Sequence, residues 1–289
     1  MADELIKNQV IKDAVQAELK NSLVFSNLAG VVEENFDLKG AGAGDTITFT
    51  QFDLSNVTLQ ALNRGDSIEV DELSQSSFQV TIEQLATGKR FYDQDIKYNV
   101  SGGSLEAEAV RHIQMAFANG MDDIALNALD AKALVNQMGT LTVSGILDAA
   151  EDQYGERTYK GGIAALAIHP RVLKQLRADS EFERAASYMT PNPDPNSYPQ
   201  SQAGFQEVGR LAGLIPVVIF DKIPFDAENN IYHNLLIPKN SILSVIGKDM
   251  NVERKRVPEK KATEIYADSF AGVAVLDQQP WRKAIRFEA

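Results

Sequence analysis

The sequence predicts an α+β chain built around two unusually long elements. Three observations carry this. Residues 45–92 hold polar and apolar side chains in the alternation of a two-stranded ribbon. Residues 104–134 place apolar groups at helical spacing over far more than the usual three turns. From about 141 onward, short apolar runs alternate with turn signals, as in an α/β segment followed by a closing β segment.

The bulk properties narrow the function. The chain has 289 residues, enough for one large domain or two ordinary ones, and its 44% hydrophobic and 24% charged composition is that of a globular protein. It has no cysteine, which removes disulfides, thiolate metal sites and a cysteine nucleophile and fits a reducing cytoplasm. The N-terminal MADELIKNQV carries acids from its start and does not read as a secretory signal. No stretch approaches the ~18 uninterrupted apolar residues of a membrane span, so no membrane partner is expected. The net charge is −12. Binding a phosphate backbone needs a cationic surface, so DNA near this chain would be enclosed without specific binding.

Leu5, Ile6, Val10, Ala14 and Leu19 predict an amphipathic helix that docks on its own core or on another subunit. Glycines at 40, 42 and 44 then break the chain. Residues 47–52 read as a strand, Arg64-Gly65-Asp66 as a turn, and Phe78, Val80 and Ile82 as the apolar face of a returning strand that continues to Phe91. An isolated two-stranded hairpin is marginal in water. The ribbon therefore needs a second surface, on a neighbouring copy or in a sheet of its own chain. Ser104 is a good N-cap, with Glu106 and Glu108 in the first turn where the helix dipole favours anions. The helix that follows would exceed roughly 40 Å, with a possible bend at Gly120.

Further on, residues 144–154 and 171–179 read as helices, and 161–168, 214–220 and 232–237 as buried strands. Pro191, Pro193, Pro195 and Pro199 mark an exposed loop over 189–203. Residues 241–246, 262–267 and 271–276 read as separate closing strands.

No catalytic constellation emerges. Gly44 is followed by Asp45 and Thr46 where a phosphate loop needs lysine and a hydroxyl, and the third glycine of a dinucleotide fingerprint would fall on Asp45. His112, His169 and His233 lack partners at metal-ligand spacing. His169, before Pro170 at a strand end, is the position an α/β enzyme would use, and reads more simply as a hydrogen-bonded loop histidine. Asp122 and Asp123 diverge by about 100° on a helix, whereas Asp93 and Asp95 share a strand face or a solvated turn. There is no Gly-x-Ser-x-Gly elbow. No enzyme activity, cofactor or metal is expected.

Charge is the clearer signal. Between Thr46 and Gly88 the ribbon carries Asp53, Asp66, Glu69, Asp71, Glu72 and Glu83 against a single Arg64. The one basic cluster is Arg254, Lys255, Arg256, Lys260 and Lys261. The two could pair between copies, with the acidic tip of one chain on the basic segment of the next. Two merely solvated faces are the alternative.

The order of parts resembles the major capsid proteins of tailed bacteriophages, the Hong-Kong-type fold shared with herpesvirus capsid floors and encapsulin compartments. Phrases similar to one branch of phage coat proteins are GDTITFTQF from Gly44, LATGKRFYDQD from Leu85, AIHPRVLKQLRAD from Ala167 and GRLAGLIPVVIFDKI from Gly209. The resemblance implies an N-terminal arm over 1–44, an extended loop over 45–92, a spine helix over 104–134 and an apical domain over 141–240. A peripheral domain would take in 93–140 and 241–289. It implies self-assembly into pentamers and hexamers around double-stranded DNA, a scaffolding protein and a portal at one vertex. An encapsulin-like compartment is the nearest alternative, and a soluble α/β enzyme acting near His169 a remoter one. Some relatives lock the shell through a lysine of the extended loop. No lysine lies between Thr46 and Gly88, so no such bond is expected. About forty residues precede the ribbon, so scaffolding is expected from a separate protein, or from a segment already absent from this sequence.

Overall fold

The computed structural model describes residues 30–33, 44–52, 75–94, 105–184, 207–246, 251–277 and 279–289. The expected helix over 5–19, the ribbon tip with Arg64, Asp66, Glu69, Asp71 and Glu72, the Ser104 cap and the proline-rich loop lie outside them.

The chain begins with β1 (Gly30–Glu33), β2 (Thr46–Phe52), β3 (Gln75–Thr81) and β4 (Glu83–Tyr92). The long helix α1 (Leu105–Lys132) leads into β5 (Leu134–Gln137) and α2 (Val143–Tyr154). Next come β6 (Ile163–Ile168), the single turn α3 (Leu173–Leu176), β7 (Phe182–Arg184), β8 (Glu207–Leu211) and β9 (Ile215–Ile219). The chain ends with β10 (Phe225–Asp226), β11 (Ile231–Pro238), β12 (Ile242–Ile246), β13 (Asn251–Val257), β14 (Ala262–Val275) and β15 (Ile285–Glu288).

These strands form two sheets and a ribbon. The five-stranded sheet has the order β1-β12-β14-β13, with β4 on the other edge of β14. The eight-stranded sheet has the order β5-β15-β11-β6-β9-β8-β7, with β10 beside β11. Among the described residues β2 and β3 pair only with each other.

Helix α1 joins the two sheets. Its first half packs Ala109, Ile113 and Phe117 on Phe91, Val252, Ile265 and Ala267 of the five-stranded sheet. Its second half packs Ala125, Leu126 and Leu129 on Ala167, Leu235 and Ile237 of the eight-stranded sheet. The opposite face of that sheet takes Ile146, Ala150 and Tyr154 of α2 against Leu166, Ile168 and Phe287. Both faces of β6 are thus covered, which is why IAALAI is apolar without alternation. Asn234, fully buried between these layers, donates to the carbonyls of Tyr232 and Phe287, so its amide is satisfied.

Three expectations are corrected. The ribbon does not run to Tyr92: it ends at Thr81, and β4 leaves it to pair with β14 from Glu83↔Ala271 to Tyr92↔Ala262. The helix expected over 171–179 is one turn, Leu173–Leu176. The two strands expected at 262–267 and 271–276 are one strand of 14 residues, because each of its halves has its own partners. Strands β5 and β15 join β6 and β9 in one sheet, so residues 134–137 and 285–288 pair within the same sheet as the strands of 141–240. The long helix, α2, β6, β9 and β11 stand where the sequence placed them.

Candidate functional site: the ribbon, the basic strand and the sheet face

The ribbon has two chemically different faces. Ile47 faces Val80 and Phe49 faces Phe78 across the register, and the two phenyl rings stack with centroids 5.4 Å apart. Thr46, Thr48 and Thr50 face Thr81, Gln79 and Ser77 on the other side. At the root the Gly44 N–H donates to the Ile82 carbonyl at 2.8 Å and the Ile82 N–H donates to the Asp45 carbonyl at 2.9 Å. Val80 and Ile82 are buried there against Leu243, Val245 and Leu276. Phe49 and Phe78, farther from the root, are only half-buried.

The ribbon can cross the sheet because residue 272 is glycine. A Cβ at Gly272 would lie 2.7 Å from the Thr81 carbonyl oxygen and 2.8 Å from Val80 Cγ1. Beside this crossing, between β3, α1 and the β14 stretch Ala271–Val275, lies a cavity of about 460 Å³. The Lys132–Asp277 ion pair, 3.1 Å, involves two residues of its lining.

The structure divides the expected basic cluster. Strand β13 pairs with β14 on one side, and among the described residues it has no strand on the other. Cations on such an edge discourage unspecific strand addition. In register Arg254 stands opposite Ile265 and Arg256 opposite Thr263, positions on the face that packs on α1. Arg256 donates to both carboxylate oxygens of Asp93 and to Thr263 Oγ1, and Arg254 also has a partner. The Arg256 hydrogen bonds hold the Asp93 carboxyl below its ordinary value. All five cations are exposed, but Arg256 is held by Asp93 and Arg254 has a partner of its own, whereas Lys255, Lys260 and Lys261 extend the cationic surface beside them. Asp95 lies outside the described residues, so no Asp93–Asp95 site is described.

On the opposite face of the same sheet stands a feature the sequence reading missed. Tyr92 and Tyr266 are 45% and 44% exposed. The Tyr266 ring covers Gly88, where a Cβ would lie 2.9 Å from Cδ1. Its hydroxyl donates to Glu264, which also takes the Arg90 guanidinium. These bonds, Tyr266 first, keep the Glu264 carboxyl below its ordinary range. The signal was present in the alternation along 262–268, where Glu264, Tyr266 and Asp268 share parity against Ile265 and Ala267.

The residues considered for chemistry are otherwise engaged. His169 stacks on Tyr232 with centroids 4.1 Å apart, and its Nδ1 accepts the Arg171 N–H. Burial first, then the Arg171 charge, push its imidazole below the ordinary value. His233 Nδ1 lies 2.9 Å from Asp130, which also neighbours Arg286. Asp123 pairs with Lys222, and Asp122 is buried with a partner. Among the described residues no three potential metal ligands converge, and no helix is long and apolar enough to cross a membrane.

No protein-family model matches the chain, and no curated protein matches it. Solved structures do. The chain is similar to the head of Helicobacter pylori bacteriophage KHP40, with 12% identity and a TM-score of 0.62 over 93% of this chain and 90% of that one. It is similar to a structure from Mycobacterium phage Che8, with 17% identity and a TM-score of 0.57 over 92% and 90%. It is also similar to an encapsulin complex from Synechococcus elongatus, with 11% identity and a TM-score of 0.55 over 90% and 84%. The fold is that of tailed-phage major capsid proteins.

Proposed function

We propose that this chain is the shell-forming subunit of a phage head, assembling into pentamers and hexamers around double-stranded DNA. The observation that carries this reading is the ribbon on this fold: a two-stranded projection whose Phe49–Phe78 face is only half covered by its own chain. A neighbouring copy would cover the rest. In this reading 1–44 is the arm, 45–92 the extended loop with its returning strand β4 rooted in the sheet on β14, and α1 the spine. The apical domain is 141–240 and the peripheral domain 93–140 with 241–289. A separate scaffolding protein and a portal take part in assembly. The subunit is not an enzyme. It is built in the host cytoplasm and ends in the virion, and DNA is enclosed without specific contacts, in keeping with a net charge of −12.

The ribbon tip supplies Asp66, Glu69, Asp71 and Glu72, with Arg64 beside them, and its partner on the next copy is the lysine set Lys255, Lys260 and Lys261. Arg254 and Arg256 stand exposed beside these lysines, each already with a partner in its own chain. With no lysine between Thr46 and Gly88, the grip is non-covalent.

Sedimentation and negative-stain microscopy of the full chain, alone and co-expressed with its scaffold, test the reading. Rings, capsomers or shells are expected; a strict monomer under every condition would overturn it. Reversal of Lys255, Lys260 and Lys261 to glutamate should weaken assembly most at low salt. The encapsulin likeness favours one second reading, a compartment for enzyme cargo. Nuclease-protected DNA in particles from infected cells supports the head, and co-purifying enzyme the compartment.

A further inference from the structure

Two arginines far apart in sequence meet on the single tryptophan of the chain. Arg157 ends the short turn after α2, and Arg282 ends the turn Pro280–Arg282 before β15. The guanidinium carbons lie 3.9 Å and 4.7 Å from the centroid of Trp281. The two turns are held in place. Tyr154 Oη donates to the Lys283 carbonyl at 2.7 Å, and Gln153 Nε2 donates to the Pro280 carbonyl at 2.6 Å. The Arg157 carbonyl accepts the Gly162 N–H at 2.8 Å, and Trp281 packs on the hydrophobic core behind it.

Among the described residues nothing compensates this pair. Among the described residues neither arginine has an ion-pair partner, and neighbouring Glu156 is taken by Lys160. Arg282 Nε is buried without a hydrogen-bond acceptor. Burial first, then the like charge of Arg157, push the Arg282 guanidinium below its ordinary value. Two guanidinium cations over one ring concentrate positive charge at one place, and guanidinium forks are suited to hydrogen-bonding a carboxylate.

We propose that Arg157 and Arg282, stacked on Trp281, form a clamp for a carboxylate presented by a second copy of this chain. The surplus of 40 acidic over 28 basic residues puts spare carboxylates on every copy. The same surplus repels a nucleic acid along its whole length, which disfavours phosphate as the ligand. The proposal rests on the reading that copies assemble.

Trp281 is the sole tryptophan, so intrinsic fluorescence reports on the clamp directly. The test uses nucleic-acid-free full chain, with hexaglutamate and a short DNA duplex as probes and sedimentation alongside. Hexaglutamate should shift Trp281 emission in a saturable, salt-sensitive way, and assembly should shift it in the same direction. Arg157→Ala, a change at an exposed side chain that leaves the fold intact, should lower hexaglutamate affinity about tenfold. The Arg157→Ala/Arg282→Ala pair should abolish the response. A shift with the duplex and none with hexaglutamate would assign the clamp to nucleic acid and overturn the proposal. Normal assembly of the double variant, with unchanged salt dependence, would overturn it while leaving the shell reading intact. A wild-type chain that never associates would remove both.

Discussion

The Thr81 carbonyl oxygen lies so close over Gly272 that a Cβ at that residue would come within 2.7 Å of it. The contact is backbone against backbone and cannot be relieved by turning a side chain. Gly272→Ala should therefore lift the ribbon root off the sheet and destabilise the chain by about 1–3 kcal/mol. Denaturant unfolding measures the loss, and faster proteolysis within the ribbon locates it.

Gly88 offers the control. Its close neighbour is the ring of Tyr266, an exposed side chain free to swing away at the expense of its bond to Glu264. Gly88→Ala should cost less than about 1 kcal/mol, within the usual range for surface changes. Equal losses at Gly88 and Gly272 would contradict the account of the crossing.

Phe287, only two residues from the last, is fully buried in the core of the eight-stranded sheet. Phe287→Ala should cost about 3–5 kcal/mol, as expected for an aromatic deep in a packed core. A thermal melt hardly different from wild type would show that β15 is peripheral to the fold.

The start of α2 is capped by Thr142, whose hydroxyl accepts the Gly145 N–H at 3.3 Å. Thr142→Ala should cost about 1 kcal/mol. The same turn depends on pH. Asp179 accepts the N–H groups of Val143 and Glu181, and these bonds, Val143 first, lower its carboxyl from the ordinary 3.8. The unfolded chain then binds the proton more tightly than the folded one. The stabilisation is complete above the ordinary value and is lost as pH falls through the depressed one. Asp179→Asn should flatten the acid limb of a stability–pH profile, and an unchanged limb would count against this.

Much of this architecture was legible in the sequence, and each failure has a physical cause. Periodicity located α1, α2 and the inner strands because each buries a constant face. The ribbon was extended too far because alternation appeared to continue past Ile82. Its phase in fact changes there: Phe78, Val80 and Ile82 are even-numbered, whereas Leu85 and Phe91 are odd. A strand that keeps its partner cannot change parity without a break, so the handover to β14 was written in the sequence. Strand β14 was split in two for the opposite reason. Val273 and Val275 keep the odd parity of Ile265 and Ala267, but Asp268 and Ser269 between them resemble a turn. The RVLKQLRAD segment has helical composition, yet its chain folds back at Asp179, whose side chain is used by Val143. Of the site, the ribbon and the basic strand were visible as charge and pattern. The Tyr266–Glu264–Arg90 line and the Arg157–Trp281–Arg282 stack were not, because each joins residues that only the tertiary fold brings together.

The pairing map also sets a timetable. Gly30 finds its ladder partner at Ile242, Glu83 at Ala271 and Leu134 at Ile285. Strand β14 is the centre of one sheet, and β15 lies inside the other, so the first sheet cannot close before Val275 is translated, nor the second before Glu288. Contacts of such long sequence separation slow folding. A chain whose C-terminal strands have not yet emerged therefore lacks both sheets, and completion of the fold is a late event.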